Sequence, residues 1–175
     1  MEIELERTFL AKHIPEGLDK CEYREILDIY IPINSPHPTL RIRKRGDVFE
    51  ITKKHIANGN DSSELIEHTI LLSQGEFEEF SHIKGKRLHK NRYFYPYENR
   101  VAEIDVFLDN LSGLVVVDFE FESRGEMESF EMPDFCLVEV TQDEAMAGGM
   151  LTGKSYVDIE KDLEKYDYKK IDDKN

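Results

Sequence analysis

The chain has 175 residues, enough for one domain with a buried core, and its 37 acids against 23 lysines and arginines give a formal net charge of −14. That balance argues against a general nucleic-acid surface, which needs a basic footprint, but it leaves room for a local basic cluster that grips a small polyanion. No apolar run approaches the roughly 20 residues that span a bilayer, and Cys21 and Cys136, in no metal-ligand spacing and behind no signal peptide, read as reduced thiols of a cytoplasmic protein.

The first predicted strand, 2–10, alternates strictly: Glu2, Glu4, Glu6 and Thr8 share one face, and Ile3, Leu5 and Phe9 share the other, with Arg7 as an exception. Three carboxylates in a row repel one another, so that face meets either water or a cation. Further strands are expected at 23–33, 38–45, 47–55, 64–72, 90–96, 101–108, 114–122 and 135–141. Arg45-Gly46-Asp47 reads as a tight hairpin turn. Short helices are expected from Gln74 to Ile83 with Phe77 and Phe80 on one face, from Ser123 to Phe130, and from Thr141 as N-cap through Met146. A last helix from Lys154 to Tyr166 would bury Val157, Ile159 or Tyr156, and Leu163. The domain is thus placed at 1–166, with 167–175 as a polar tail.

Charge on these strands is segregated by sign. Arg41, Arg43 and Arg45 share a face; Glu50, Thr52 and Lys54 share one; so do Lys90 and Arg92. Glu103 and Asp105 oppose Ile104 and Val106, and Asp118 and Glu120 oppose Val117, Phe119 and Phe121. Taken singly, each charged face fits a solvated surface. Taken together, many short antiparallel strands with apolar backs fit a barrel whose lumen collects the charges. Buried charge must be paired or occupied, and a polyphosphate carrying a divalent cation satisfies arginines, lysines and carboxylates at once. The expected fold is therefore α+β, mainly β: an eight-stranded antiparallel tunnel with a charged lumen and flanking helices. Among the remaining features, Tyr93, Tyr95 and Tyr97 read as rim packing, and the histidines, which lack ligand spacing, as surface residues.

The ordered series Glu4-Leu5-Glu6-Arg7-Thr8, Leu40-Arg41-Ile42-Arg43, Ile51-Thr52-Lys53-Lys54, Glu67, Lys90-Asn91-Arg92, Glu103-Ile104-Asp105, Asp118-Phe119-Glu120 and Glu139-Val140-Thr141 resembles the CYTH superfamily, the triphosphate tunnel metalloenzymes, over about residues 2–145. The resemblance implies a tunnel, often dimeric, that binds a small-molecule triphosphate and Mg2+ or Mn2+. Carried over by position, Arg41, Arg43, Lys54, Lys90 and Arg92 would hold phosphates, and Glu4, Glu6, Asp118 and Glu120 would face the metal. Glu103, Asp105 and Glu139 would stand elsewhere in the lumen, and Glu6 or Glu67 would accept the proton of the attacking water. The implied activity is metal-dependent triphosphate hydrolysis, with tripolyphosphate first and thiamine triphosphate or a nucleotide next. A non-catalytic phosphate-binding module and an adenylyl cyclase are the alternatives. Two positions depart from the pattern: Thr8 stands where the signature has lysine, and the segment after Thr141 lacks the family's basic residue. Lys12, Arg45 and Lys53 are the candidates to supply the missing charge.

Overall fold

A computed structural model of the protein describes residues 2–172, the side chain of Glu2 excepted. The chain runs β1 (Glu2–Ala11), β2 (Tyr23–Ile31), β3 (Leu40–Arg45), β4 (Val48–Ile56), β5 (Glu64–Leu72), α1 (Gln74–Ser81), β6 (Lys86–Tyr97), β7 (Arg100–Phe107), β8 (Val115–Phe121), α2 (Arg124–Ser129), β9 (Cys136–Glu139), α3 (Gly148–Leu151) and α4 (Tyr156–Glu164). Strands pair in the order β5-β4-β3-β2-β6-β7-β8-β1, and β1 pairs again with β5, so eight antiparallel strands close a barrel. The length of β1 makes closure possible. Glu2–Leu5 pair with β5, Leu5–Leu10 pair with β8 on the other edge, and Phe9–Ala11 receive β9 outside the ring.

Strand alternation sorts the apolar residues into two cores. On the outer surface of β1, β7 and β8, the residues Phe9, Ile104, Val117, Phe119 and Phe121 pack with Met127 of α2 and with Phe130 and Phe135. Tyr93, Tyr95 and Tyr97 lie against this cluster, as the sequence reading expected. Leu10, Leu88, Phe107 and Val116 belong to the lumen face instead, and they join Met146, Leu151, Ile159 and Leu163 in a second cluster. The lumen is therefore charged along most of its length and apolar where β1 ends, where α3 and α4 stopper it. Neighbours Phe9 and Leu10 are both fully buried, one on each side of the wall.

Gly46 takes a left-handed φ of 57° in the two-residue turn between β3 and β4, a conformation that suits glycine and makes the expected hairpin tight. Ser73 caps α1 in a reciprocal box with Glu76, and Phe77 meets Phe49 at 5.0 Å between ring centroids, while Phe80 and Ile83 stay exposed.

Several expectations are corrected. Strand β6 starts at Lys86 rather than 90; Leu88 alone carries the apolar signal in Lys86-Arg87-Leu88-His89, too little for a pattern. Thr141 caps no helix; Asp143 caps the short 3-10 turn Glu144–Met146 through Ala145 N–H. Val157 of α4 is 76% exposed, and Ile159 and Leu163 make the buried face. The expected polar tail is anchored at least through Ile171. Tyr168 is buried, its hydroxyl accepts from Val115 N–H at 2.8 Å and donates to the Gly113 carbonyl at 2.9 Å, and Ile171 N–H donates to the same carbonyl. Residues 173–175 of that tail lie outside the described residues. No helix among the described residues is long and apolar enough to cross a membrane.

Candidate active site

Cross-strand register brings the charged faces together. Glu6 stands opposite Glu120, Thr8 opposite Asp118, and Asp118 opposite Glu103. Arg92 faces Asp105; Arg43 lies between Asp28 and Glu50; Lys54 faces Glu67. Residues opposite one another in a sheet point to the same side, so one enclosed lumen receives Glu4, Glu6, Arg41, Arg43, Lys54, Glu67, Lys90, Arg92, Glu103, Asp105, Asp118 and Glu120.

One wall, built by β2, β3, β6 and β7, is saturated. Arg43 and Asp28 form a buried two-pronged pair at 2.7 and 2.8 Å. Arg92 grips Asp105 through Nε and Nη2, both at 2.7 Å, reaches Asp118 at 3.1 Å, and pairs with Glu103. Lys90 completes the cluster on Asp105. Burial opposes ionisation of Asp105, but Arg92 and Lys90 outweigh it and hold the carboxyl well below its ordinary range. Burial pulls the Lys90 ammonium down, and Arg92 and Arg43 add to that.

The other wall, built by β1, β4, β5 and β8 with Arg41 of β3, is short of positive charge. Lys54 Nζ bridges Glu4 at 2.7 Å and Glu6 at 2.8 Å, and these carboxylates raise it against the effect of burial. Glu120 meets solvent at the open end, yet loss of hydration, then Glu103 and Glu4, push its carboxyl up to about 7 despite Lys54. Asp118 is raised by burial, then by Glu6 and Asp105, although Arg92 pulls the other way; the Thr8 hydroxyl donates to it at 2.7 Å. Arg41 donates to the Tyr30 hydroxyl at 3.2 Å and lies 3.6 Å from Glu67, and its buried Nε has no hydrogen-bond partner. A buried donor left unpaired costs about 1–3 kcal/mol, so this atom invites an anion.

The donor set suits a hard divalent cation. Glu4, Glu6, Asp118 and Glu120 present oxygen donors, and the register sets Glu6 against Glu120 and Asp118 against Glu103, acids side by side whose repulsion such a cation would relieve. No three acidic, histidine or cysteine side chains among the described residues already stand at ligand spacing; Lys54 is the cation that now holds Glu4 and Glu6.

Glu139 is a correction. It pairs across from Phe9 on the outer face, and its carboxylate takes Arg7 through two bonds at 3.0 and 2.6 Å. The Arg7 exception of the first strand and the misplaced acid thus answer each other outside the lumen. Of the three candidate replacement cations, Lys12 and Lys53 are exposed, and only Arg45 lies on the lumen face. After β9, Gln142 forms a clip rather than a charge: it donates to Asp61 at 2.9 Å and accepts from Ser62 N–H at 3.1 Å. Sequence reasoning placed Glu50 on a charged face but missed Asp28 as a lumen acid. Asp28 sits between Leu27 and Ile29 in an alternating strand, and a lone acid at a buried position was the available signal.

No family model matches the chain. The inorganic triphosphatase of Nitrosomonas europaea is 30% identical over 141 residues, which cover 80% of this chain and 90% of that protein. The chain belongs to the CYTH superfamily of triphosphate tunnel proteins. The crystal structure of the inorganic triphosphatase NE1496 aligns with TM-score 0.64 and 26% identity over 88% of this chain and 97% of its own. A Bacillus halodurans protein aligns over 99% of this chain and 95% of its own, at TM-score 0.56 and 17% identity, which bears on fold alone. The CYTH signature residues Glu4, Glu6, Arg41 and Lys54 all face the tunnel here, and Thr8, in the signature lysine's place, faces it too.

Proposed function

We propose that this chain is a metal-dependent triphosphatase that cleaves a phosphoanhydride bond of tripolyphosphate, or of an organic triphosphate, in its tunnel. One observation carries the reading: Arg41 keeps a buried Nε without a partner, while Glu120 stands beside the acids Glu6, Glu4 and Glu103 and Asp118 has only one contact to Arg92, at 3.1 Å, a cation it shares with Asp105 and Glu103. An anionic chain accompanied by a divalent cation completes both. Membership in the family of an inorganic triphosphatase supports the same conclusion.

Glu4, Glu6, Asp118 and Glu120 would hold Mg2+ or Mn2+, which when bound would neutralise phosphate oxygens and orient the attacking water. Arg41 and Lys54 would bind the phosphate chain; Lys54, which bridges Glu4 and Glu6, would be free for it wherever those two carboxylates hold the metal instead. Arg92 and Lys90 contribute field from the saturated wall, which suits a transition state that spreads charge over phosphoryl oxygens. Glu67 would accept the water's proton. The Thr69 hydroxyl donates to it at 2.7 Å and fixes its orientation, whereas Glu6 is committed to the cation side.

The deciding experiment is phosphate release from tripolyphosphate with Mg2+ or Mn2+ and with chelator. Release that requires the metal is expected; none at any pH from neutral to alkaline would overturn the reading. Thr8 in place of a lysine favours one competitor, a binding module without turnover. That reading predicts that tripolyphosphate raises the melting temperature yet stays intact for hours.

A further inference from the structure

The three arginines of β3 are not equivalent, and this inference rests on the triphosphate reading above. Arg43 is spent: its Nε and Nη2 both lie on Asp28, and both partners are buried. Its neighbours on the same face are not. Arg41 and Arg45 each carry a buried Nε with no hydrogen-bond partner. Among the described residues, the ion pair of Arg45, from Nη2 to Glu50, is 3.4 Å long, well beyond the usual length of a charge-assisted bond. Arg45 stands opposite Ile26 and Val48 at the end of β3, beside the open hairpin turn, and its side chain is 36% exposed. A guanidinium loosely held at an open end, with a donor turned into the wall and unused, can change partners when an anion arrives.

We propose that Arg45 is a further anion contact on β3, extending toward the mouth the row that begins at Arg41, past the Asp28-bound Arg43. Four residues of strand separate Arg41 from Arg45 by about 13 Å, which suits the two ends of an extended anion rather than a single phosphate group. Arg45 meets the distal, mouth-side end of the chain; Arg41 holds the end beside Lys54 and Glu67. Glu50 stays next to Arg43, its cross-strand neighbour, when Arg45 turns away. Arg45 does not stand in for a lysine at Thr8 in place, because β4 and β5 separate β3 from β1 around the wall. It adds a cation to the same polyanion further along.

The test compares Arg45→Gln with Lys53→Gln. Both remove one positive charge, but Lys53 points outward from β4. For Arg45→Gln we expect KM for tripolyphosphate to rise five- to twentyfold with kcat within twofold of wild type, and the melting shift induced by tripolyphosphate in metal-free protein to shrink. Lys53→Gln should match wild type in both, and Arg45→Lys should recover part of the KM. Equal KM and equal melting shift for Arg45→Gln and wild type would overturn the proposal, as would an equal loss in Lys53→Gln, which would make the effect one of net charge. A wild-type protein that neither hydrolyses tripolyphosphate nor is stabilised by it would instead sink the functional reading on which the proposal stands.

Discussion

On the β2–β3–β6–β7 wall of the tunnel, Asp28, Asp105 and Glu103 each have an arginine or lysine in hydrogen-bond contact, and Asp105 has two. On the opposite wall Lys54 serves both Glu4 and Glu6, while Glu120 is pushed up to about 7 by lost hydration and by its acidic neighbours. The residue types are the same; the pairing differs. On the first wall each of these acids has its own cation; on the second, one cation serves two acids. The resemblance assigned Arg41, Arg43, Lys54, Lys90 and Arg92 alike to phosphate. The geometry divides them: Arg43, Lys90 and Arg92 are bound to the acids of one wall, Lys54 is shared between Glu4 and Glu6, and Arg41 keeps a donor unpaired.

Breaking the saturated wall should have the largest effect. Asp28→Ala strips the buried Arg43 of its partner, and losing one member of a buried pair costs about 3–5 kcal/mol. For a domain of this size that is a fall on the order of 10 °C in melting temperature, read by calorimetry without any ligand. A loss below about 1 kcal/mol would mean that the pair is no more than a surface contact and that the division of the two walls is wrong.

The unsaturated wall should behave in the opposite sense. Glu120→Gln removes a carboxylate that its surroundings disfavour, so the metal-free protein should melt slightly higher than wild type at pH 8. The same change should weaken Mn2+. Wild type gains about 2.7 kcal/mol at a metal concentration a hundredfold above Kd, and the variant should keep only a fraction of that. Glu6→Gln should leave Lys54 held by Glu4, keep the melting temperature within about 2 °C, and lower phosphate release about a hundredfold or more, the scale of losing one group that organises charge in a transition state. A large loss of stability in either variant would show that these acids too are structural.

Much of this was legible before any coordinates because strand alternation assigns faces residue by residue. Glu4, Glu6, Arg41, Lys54, Glu67 and Glu120 fell on one side of their strands, and closing the barrel made that side a single cavity. What failed were the features that alternation does not encode. Glu139 alternates with Val138 and Val140 as a lumen acid would, but β9 lies outside the ring, and pairing order is a property of topology rather than of local pattern. Asp28 was passed over because a single acid in a strand carries no sign of whether it is a ligand or a strut. Tyr168 was assigned to a tail because its partners, Val115 N–H and the Gly113 carbonyl, are more than 50 residues away and leave no trace in the sequence around it.

The smallest expected effect comes from outside the paired wall. His89, on the outer face of β6, has Nε2 at 2.9 Å from the Glu25 carboxylate of β2 and Nδ1 at 2.8 Å from that of Asp109, in the turn after β7, and when protonated donates to both. Burial works against its positive charge, but hydrogen bonds to the two carboxylates outweigh that and raise its pKa. A histidine raised on folding stabilises fully below its unfolded pKa, and the gain is lost as pH climbs through the folded value. The melting-temperature difference between wild type and His89→Gln should therefore be largest near pH 5.5 and fade toward pH 8.5. Both carboxylates are substantially exposed, so water screens the pair and the contribution should be about 0.5 kcal/mol, or 1–2 °C. Titrated in parallel, Asp28→Ala should keep its full deficit across that range, since the Asp28 carboxyl, held down by Arg43 against the cost of burial, stays ionised throughout. If the two variants showed the same size and the same pH profile, enclosure by the barrel would add nothing to an ion pair, and the contrast between the walls would lose its physical basis.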